Sequence, residues 1–413
     1  MSLNQLSRLL FHYFRARYGR RFSDRQALEN WQHKQIQHFI KNILPHSPFY
    51  RPYLTQAFEQ WPIMNKSLMM KHFDELNTVG ITQAAAFQIA LQAEQSRDFF
   101  PMIQNITVGL SSGTSGNRGL FLVSPAERMK WAGSILAKAL PGSIFEPHKI
   151  AFFLRANSNL YTSVRSRRIQ FKFLDLLKDL ETHIKQLNEY QPTILIAPAQ
   201  VLRLLATAQL EKRLQIQAQK IISVAEVLER SDENLIQAAF KQITHQVYQC
   251  TEGFLGITCR YGTVHLNEDF VFFEKEWIDK NSRRFVPIIT DFSRMTQPIV
   301  RYRLDDVLQE KAQPCPCGSV FKALARIEGR CDDIFYIPSK ENGTLKPVFS
   351  DFIRRAIMQA SPDILEYQVI QHTPHQLEVA VSSQDNSDLE NQIIGSFKQL
   401  FNEMACVAPA IRF

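Results

Sequence analysis

The chain has 413 residues, of which 45% are hydrophobic and 11% aromatic, and its formal net charge is +8. This composition is that of a globular protein and excludes a disordered chain, a collagen and a small disulfide scaffold. At about 150 residues per domain, the length predicts two or three domains.

No stretch of the sequence reaches the roughly 18 consecutive apolar residues of a membrane-spanning helix. The N-terminal segment places Arg15, Arg17, Arg20 and Arg21 after an apolar run, whereas a secretory signal places its positive charges first. We therefore expect a cytoplasmic protein without a transmembrane segment. The same segment fits a helix packed on the main body, which we favour, or a basic amphipathic helix in peripheral contact with an anionic membrane.

The excess of positive charge is mild, and no dense Lys/Arg block with interleaved aromatic residues marks a nucleic-acid groove. We expect no nucleic-acid partner, and anionic small molecules such as nucleotides fit the charge equally well. The sequence leaves the oligomeric state open.

The first 100 residues have a helical pattern and are expected to form an N-terminal cap of the large domain. A strand at 102–110 then runs directly into the segment SSGTSGNRG. The following sequence, SPAE at 124–127, predicts a helix start, with Ser as N-cap, Pro at N1 and Glu at N3.

Short β-rich runs alternate with helical patterns after that helix. The runs lie at 149–155, 193–199, 220–227 and 244–250, and the helical patterns lie near 171–190, 199–213 and 231–243. This alternation predicts an α/β fold with a mainly parallel sheet flanked by helices. Consecutive strands from Gly256 to Arg303 predict an added antiparallel β subdomain. The large domain is expected to span 101–329, followed by a small, mobile α+β domain at 330–413 that looks truncated.

The segment from Ser111 to Gly119 consists mainly of Ser, Thr and Gly, whose small side chains and free backbone N–H groups can wrap a polyphosphate. Its spacing differs from a Walker A loop and from a Rossmann fingerprint. A flexible surface loop is the alternative.

Several motifs in order resemble those of the adenylate-forming enzymes. SSGTSGNRG resembles their phosphate loop, YQCTE (248–252) their YGxTE, ITDFSRMTQPIVRYRLDD (289–306) their TD…RYRTGD stretch, and IEGRCDD (327–333) their GRxDD hinge. SPFYRP near residue 50 and CPCG at 315–318 narrow the resemblance to the branch of phenylacetate:CoA ligase, the deazaflavin-adenylating synthetases and the CapK-like proteins. The resemblance covers roughly residues 40 to 350. The chain departs from it at Gln249 for Gly, Arg118 for Lys, and Leu304-Asp305 for Thr-Gly.

The resemblance implies a set of nucleotide-binding residues. Around the ATP β- and γ-phosphates it places Ser111, Ser112, Gly113, Thr114, Ser115 and Gly116, with Arg118 nearby. Thr251 would bind a phosphate oxygen, Glu252 would hold Mg²⁺, and Tyr248 belongs to the same motif.

Three further residues complete the implied site. Asp306 would accept the ribose hydroxyls, Arg330 would approach the ribose or phosphate, and Glu226 would lie near the adenine. Thr114, Glu252 and Arg330 are the expected catalytic residues. Taken singly, Asp306 could be a turn carboxylate and Glu252 a helix cap.

Cys259, His265, Cys315 and Cys317 form a second set of chemically distinctive residues. Three thiolates and one imidazole are the ligands of a closed tetrahedral zinc site, and the CPCG sequence resembles the structural site of the phenylacetate:CoA ligase branch. Reduced core cysteines are the alternative. The zinc would be structural, because no coordination position stays open. Cys250, Cys331 and Cys406 have no spacing partner.

The resemblance implies ATP-dependent activation of a carboxylic acid to an acyl adenylate, with release of pyrophosphate. Transfer to a thiol of CoA or of a carrier protein would follow, with an aryl acid as the favoured substrate. The alternatives are adenylyl transfer to a hydroxyl and a nucleotide-binding protein with degenerate catalysis. Candidate aromatic residues for the acid pocket are Phe152, Phe153, Tyr161 and Tyr248, although such residues are more often core.

The resemblance also implies a catalytic lysine close to the C-terminus, and the sequence NEMACVAPAIRF offers none there. Lys340 and Lys346 are the nearest candidates beyond the hinge, with solvated loop lysines as the favoured alternative. We therefore expect ATP binding with slow formation of the acyl adenylate.

Overall fold

The chain divides into two units, each of which packs mainly within itself. The computed structural model describes residues 3–19, 22–96, 101–110, 119–154, 166–176, 178–330, 334–361, 364–383 and 388–413. Unit 1 comprises Met1–Leu304 and Gln309–Ile327, and unit 2 comprises Asp305–Leu308 and Glu328–Phe413. The domain limits at 100 and 329 stay predictions, and the first hundred residues belong to unit 1 in this division.

Helices dominate the first hundred residues and flank the later strands of unit 1. They are α1 (Leu3–Phe14), α2 (Arg25–Asn42), α3 (Lys66–Lys71), α4 (Phe73–Leu76), α5 (Gln83–Ser96), α6 (Pro125–Ala139), α7 (Leu180–Tyr190), α8 (Ala199–Leu210) and α9 (Arg230–Phe240). A π-helical turn, Arg15–Gly19, follows α1. Among the described residues, no helix combines the length and the apolarity needed to cross a membrane.

The strands with residues in unit 1 begin after those first helices. They are β1 (Met102–Ile103), β2 (Ile106–Leu110), β3 (Leu120–Val123), β4 (His148–Leu154), β5 (Ile169–Asp175), β6 (Ile194–Ala197), β7 (Lys220–Ser223), β8 (Thr244–Cys250), β9 (Gly253–Thr258), β10 (Val264–Leu266), β11 (Val271–Asp279), β12 (Arg284–Asp291), β13 (Ile299–Arg303), β14 (Asp306–Glu310) and β15 (Ala323–Arg330). The chain passes between the units within β14 and β15.

A parallel sheet forms the centre of unit 1, with the strand order β5-β4-β6-β7-β8. Successive side chains along its strands point alternately into two different hydrophobic cores. Phe153 and Ile221 pack with α7, α8 and α9 on one face, while Ile150 and Ile222 pack with α1 and α6 on the other. Because successive side chains of a strand point to opposite faces, helices cover both sides. The α/β prediction is confirmed.

The antiparallel part of unit 1 begins where β9 pairs with β8. β10 lies between β9 and β15, and β12 lies between β11 and β13. β1, β2 and β3 form a separate antiparallel sheet, and the Ser/Gly segment connects β2 to β3. The predicted antiparallel subdomain is confirmed.

Two local predictions are wrong. The single strand expected at 102–110 is instead a hairpin of β1 and β2, which turns at Gln104 and Asn105, both with positive φ. The sequence from 171 to 190 has a helical pattern, but the structure places β5 at Ile169–Asp175 and starts α7 only at Leu180. The run IQFKFLD alternates apolar and polar residues at its start, and seven residues of β5 pair with β4. The helical pattern predicted from residue 171 overlaps this strand. Pairing of β5 with β4 along its whole length stabilises the strand more than that local pattern favours a helix.

Unit 2 contains a small α+β core. Its elements are β16 (Phe335–Pro338), β17 (Leu345–Val348), α10 (Ser350–Ala360), β18 (Ile364–Thr373), β19 (Gln376–Ser383), α11 (Leu389–Glu403) and β20 (Ala410–Arg412). Ile357, Leu377 and Phe397 are fully buried in one cluster with residues of the β16–β17 hairpin. The α+β prediction for this part of the chain is confirmed.

Candidate functional site

The Cys/His cluster forms where two turns meet. Cys259 starts a tight turn after β9, in which Gly262 has a φ of +76° and donates its N–H to the Cys259 carbonyl. Cys315 and Cys317 lie on a second turn, closed by Gly318 with a φ of +75°. Both turns need a left-handed residue, which glycine adopts without strain.

Strand pairing brings His265 to the same place, because His265 on β10 pairs with Ala323 on β15. The four ligand atoms all lie within 4.8 Å of one another. The Cys259 and Cys315 sulfurs are 3.7 Å apart, and the Cys317 sulfur is 3.3 Å from His265 Nε2. Two sulfurs bound to one tetrahedral zinc are about 3.8 Å apart, and a sulfur and a nitrogen about 3.6 Å apart.

Neighbouring groups orient this cluster. His265 Nδ1 donates to the Phe321 carbonyl at 3.0 Å, so its Nε2 lone pair faces the sulfurs. The Tyr261 and Ser319 backbone N–H groups donate to the sulfurs of Cys259 and Cys317, each at 3.4 Å. Such outer contacts fix the tautomer and stabilise thiolates in metal sites. The residues present therefore fit zinc.

Thr251 and Glu252 form the tip of the hairpin between β8 and β9, where Cys250 pairs with Gly253. The Thr251 hydroxyl donates to Glu252 Oε2 at 2.9 Å. The hairpin tip lies at a small cleft within unit 1. The polar residues that line this cleft are Lys66, Thr251, Glu252, Arg294 and Gln297. Gly119, the last residue of the Ser/Gly segment and the one residue of it that the structure describes, lines the same cleft.

Two cations in this cleft were missed by the sequence analysis. Lys66 is the first residue of α3, whose N-terminus is capped by the side chain of Asn65. Arg294 donates to the carbonyls of Thr251 and Leu122 at 3.3 and 3.2 Å. The only sequence signal for Arg294 is its place within the TDFSRMTQP stretch, and Lys66 has none.

The buried carboxylate of Glu127 forms hydrogen bonds with the loop between β12 and β13 that contains Arg294, here called the Arg294 loop. It accepts the N–H groups of Met295 and Thr296 at 2.6 and 3.0 Å, and also caps α6 through the N–H of Ser124 at 2.7 Å. Burial opposes its ionisation, but the Arg294 charge and the hydrogen bonds from the Ser124 and Thr296 hydroxyls and the Thr296 N–H outweigh burial and lower the pKa of Glu127. These contacts of Glu127 therefore hold the Arg294 side of the cleft in place.

The remaining predicted residues are placed as follows. Ser111, Ser112, Gly113, Thr114, Ser115, Gly116 and Arg118 lie outside the described residues, as do Tyr161 and Cys331. Tyr248 is buried on β8. The exposed Glu226 accepts the N–H of Gln200 at 3.0 Å, and so caps α8 where Pro198 offers no side-chain acceptor.

Two departures from the family motifs have local explanations. Gln249 accepts a hydrogen bond from Trp131 Nε1 at 3.3 Å, which ties β8 to α6. In unit 2, Asp305 accepts from Arg330 Nη2 at 3.2 Å, one residue before Asp306 begins β14.

Of the candidate pocket aromatics, Phe153 is fully buried in the core against His183, with ring centroids 4.9 Å apart. Phe152 is buried beside Phe171. Both rings contribute to packing of the central sheet.

No family model matches this chain. Protein CapK from Staphylococcus aureus is 27% identical over 225 residues, which are 54% of this chain and 48% of CapK. The match thus spans about half the length of that relative. It confirms the expected resemblance to the CapK-like branch.

Solved structures match over most of the chain. The open conformation of a 2-hydroxyisobutyryl-CoA ligase, in complex with 2-HIB-AMP and CoA, matches with a TM-score of 0.62 and 14% identity over 95% of this chain and 88% of that one. The GH3.15 acyl acid amido synthetase matches with a TM-score of 0.54 and 14% identity over 90% and 83% of the two chains. The chain therefore has the fold of the adenylate-forming enzymes, as its motifs predict.

Proposed function

We propose that this chain uses ATP to convert a carboxylic acid to an acyl adenylate, with release of pyrophosphate. The observation that carries the proposal is the cleft in which Thr251 and Glu252 meet two cations beside the end of the Ser/Gly segment. The fold supports the same reaction class.

The chemistry follows from these charges. The acid's carboxylate attacks the ATP α-phosphate, and the bond to the pyrophosphate oxygen breaks. Lys66 and Arg294 would stabilise negative charge on the phosphates, and Thr251 would donate to a phosphate oxygen. Glu252 is the carboxylate suited to Mg²⁺, which would neutralise phosphate charge. Catalysis by such groups consists of positioning and charge stabilisation.

We further propose an aryl acid as substrate and a thiol of CoA or of a carrier protein as the final acceptor. The support is the resemblance of the motifs to the phenylacetate:CoA ligase branch. One structural neighbour is a CoA ligase and another an amido synthetase, so the fold alone serves more than one acceptor. Adenylyl transfer to a hydroxyl, and nucleotide binding with degenerate catalysis, are the competing functions.

The deciding experiment measures pyrophosphate release from Mg-ATP with a panel of aryl and aliphatic carboxylic acids. We expect acid-dependent release, reduced about 10²- to 10³-fold in Glu252→Gln. Glu189→Gln, an exposed carboxylate on α7, is the matched control and should keep the wild-type rate. Release independent of any acid, or equal rates in both variants, would contradict the proposal.

The acceptor is tested separately. With the best acid, mass spectrometry of reactions containing CoA, a carrier protein or a hydroxyl compound identifies the product. A thioester supports the proposed acceptor, whereas a phosphodiester to the hydroxyl compound supports adenylyl transfer.

We also propose that Cys259, His265, Cys315 and Cys317 hold a structural zinc ion that joins the turn after β9 to the turn before β15. All four ligands come from the protein, so the ion has no open position for substrate.

A further inference from the structure

Helix α1 has two apolar faces. Leu9 and Tyr13 on one face are buried against α6. On another face, Leu3, Phe11 and Phe14 are 86%, 56% and 41% exposed. Their spacing of eight and three residues places them along one side of the helix.

Two neighbouring aromatic residues extend this exposed face. Tyr18, in the π-helical turn, stacks on Phe14 with ring centroids 6.2 Å apart and is 55% exposed. Phe145, on the connection from α6 to β4, lies 6.1 Å from Phe14 and is 54% exposed. We call Leu3, Phe11, Phe14, Tyr18 and Phe145 the aromatic patch. Contiguous exposed apolar residues of this kind mark an interaction surface.

Positive charges flank the aromatic patch. Arg8 is exposed on α1, Arg15 lies over the Phe11 ring at 5.9 Å, and Arg168 donates to the Phe145 carbonyl at 2.8 Å. The sequence from residue 1 to 21 contains no Asp or Glu. Glu146 lies next to the patch, and its carboxylate accepts the Ser143 N–H.

We propose that the aromatic patch binds the surface of an anionic phospholipid bilayer, with α1 lying in the plane of the interface. Aromatic side chains enter the headgroup and acyl boundary, while arginines pair with lipid phosphates. A second copy of this chain is a poorer occupant, because a twofold contact would set the same arginines against one another. The proposal is independent of the proposed enzymatic function.

The test is flotation of the full chain with vesicles of phosphatidylcholine alone or with 30% phosphatidylglycerol. We expect binding to the anionic vesicles that falls in high salt. Phe11→Ser combined with Phe14→Ser should reduce the partition coefficient tenfold or more, since two large apolar side chains leave the interface. Leu204→Ser with Leu210→Ser is the matched control, because these α8 leucines are 45% and 51% exposed away from the aromatic patch.

Circular dichroism and thermal melting establish that both double variants fold. Equal binding of the two double variants, or no binding of the wild type to anionic vesicles, would overturn the proposal. So would wild-type self-association, seen by light scattering, that the Phe11/Phe14 variant loses, because a second copy would then be the occupant.

Discussion

His265 shows how one hydrogen bond prepares a residue for metal binding. Its Nδ1 proton is engaged by the Phe321 carbonyl, which leaves Nε2 as an acceptor toward the Cys317 sulfur. Burial opposes ionisation of Cys315, but the Cys317 N–H and the His265 and Thr263 side chains outweigh burial and lower the pKa of Cys315 to about 6. The side chains are arranged for metal coordination.

We expect purified protein to contain about one zinc ion per chain, because three thiolates and an imidazole prefer zinc to harder cations. Metal analysis after removal of loosely bound ions measures this. Cys315→Ser with Cys317→Ser should lose the zinc and melt at a lower temperature, whereas Cys250→Ser should retain it. Zinc retained by the double variant would show that the ion binds elsewhere.

Asp306→Ala should weaken AMP and ATP binding together, because both contain the ribose. Losing a charged hydrogen-bond partner costs about 1.5 to 3 kcal/mol, which is roughly tenfold or more in affinity. A change at Arg118 should affect ATP more than AMP. Calorimetry measures the affinities, and Asp305→Ala, which removes a partner of Arg330, should stay within about fivefold of the wild type. Unchanged AMP affinity in Asp306→Ala would refute the ribose role.

At the scale of elements, α6 joins several parts of unit 1. The carboxylate of Glu127 links its N-terminus to the Arg294 loop, and its C-terminal carbonyls of Ala137 and Leu140 accept from Arg17 after α1. Gly133 lets α1 approach closely, since a Cβ there would lie 2.5 Å from the Leu9 carbonyl oxygen.

Gly133→Ala should destabilise the protein by about 1 to 3 kcal/mol, because the added methyl group meets the backbone of α1. Gly395→Ala on α11 is the matched control. A Cβ there meets nothing within 4 Å, and alanine favours the helix by up to about 1 kcal/mol. Denaturant unfolding measures both, and a stabilising Gly133→Ala would disprove the close packing of α1 on α6.

Lys220 on β7 should make stability depend on pH. Burial, with a smaller effect of the Arg17 charge, lowers its pKa from 10.5 to about 8. Between those values the unfolded chain binds more protons than the folded chain, so this residue makes stability rise with pH by up to about 3 kcal/mol.

Lys220→Met should therefore be more stable than the wild type at pH 7 and should lack that rise. The exposed Lys149→Met is the control. Thermal melting between pH 7 and 10.5 measures the effect, and parallel profiles of wild type and Lys220→Met would rule out a buried charge at this position.

At the scale of the whole molecule, the predicted nucleotide contacts are divided between the two units. Thr251 and Glu252 belong to unit 1, whereas Asp306 and Arg330 belong to unit 2. In unit 2, Lys340 donates to the Asn402 side chain at 2.8 Å and Lys346 to the Met404 carbonyl at 3.4 Å. Both lysines thus tie the β16–β17 hairpin to the end of α11.

From these contacts we expect Lys340→Ala and Lys346→Ala each to change the free energy of unfolding by less than about 1.5 kcal/mol and to leave pyrophosphate release within about threefold. Stopped-flow measurement of adenylate formation and denaturant unfolding provide the two readouts. A loss of a hundredfold or more in adenylate formation would instead make that lysine the catalytic cation.

The sequence by itself determined the α/β class, the order of the adenylation motifs and the identity of the four Cys/His residues. These depend on local periodicity and on residue types at short spacing, which the sequence displays directly. The tertiary structure decided which distant residues meet. Lys66 on α3 and Arg294 on the loop after β12 line one cleft although they are far apart in sequence, and His265 reaches Cys317 because β10 pairs with the distant strand β15. β5 is a strand for the same reason, since pairing with β4 is a long-range contact that no local pattern contains.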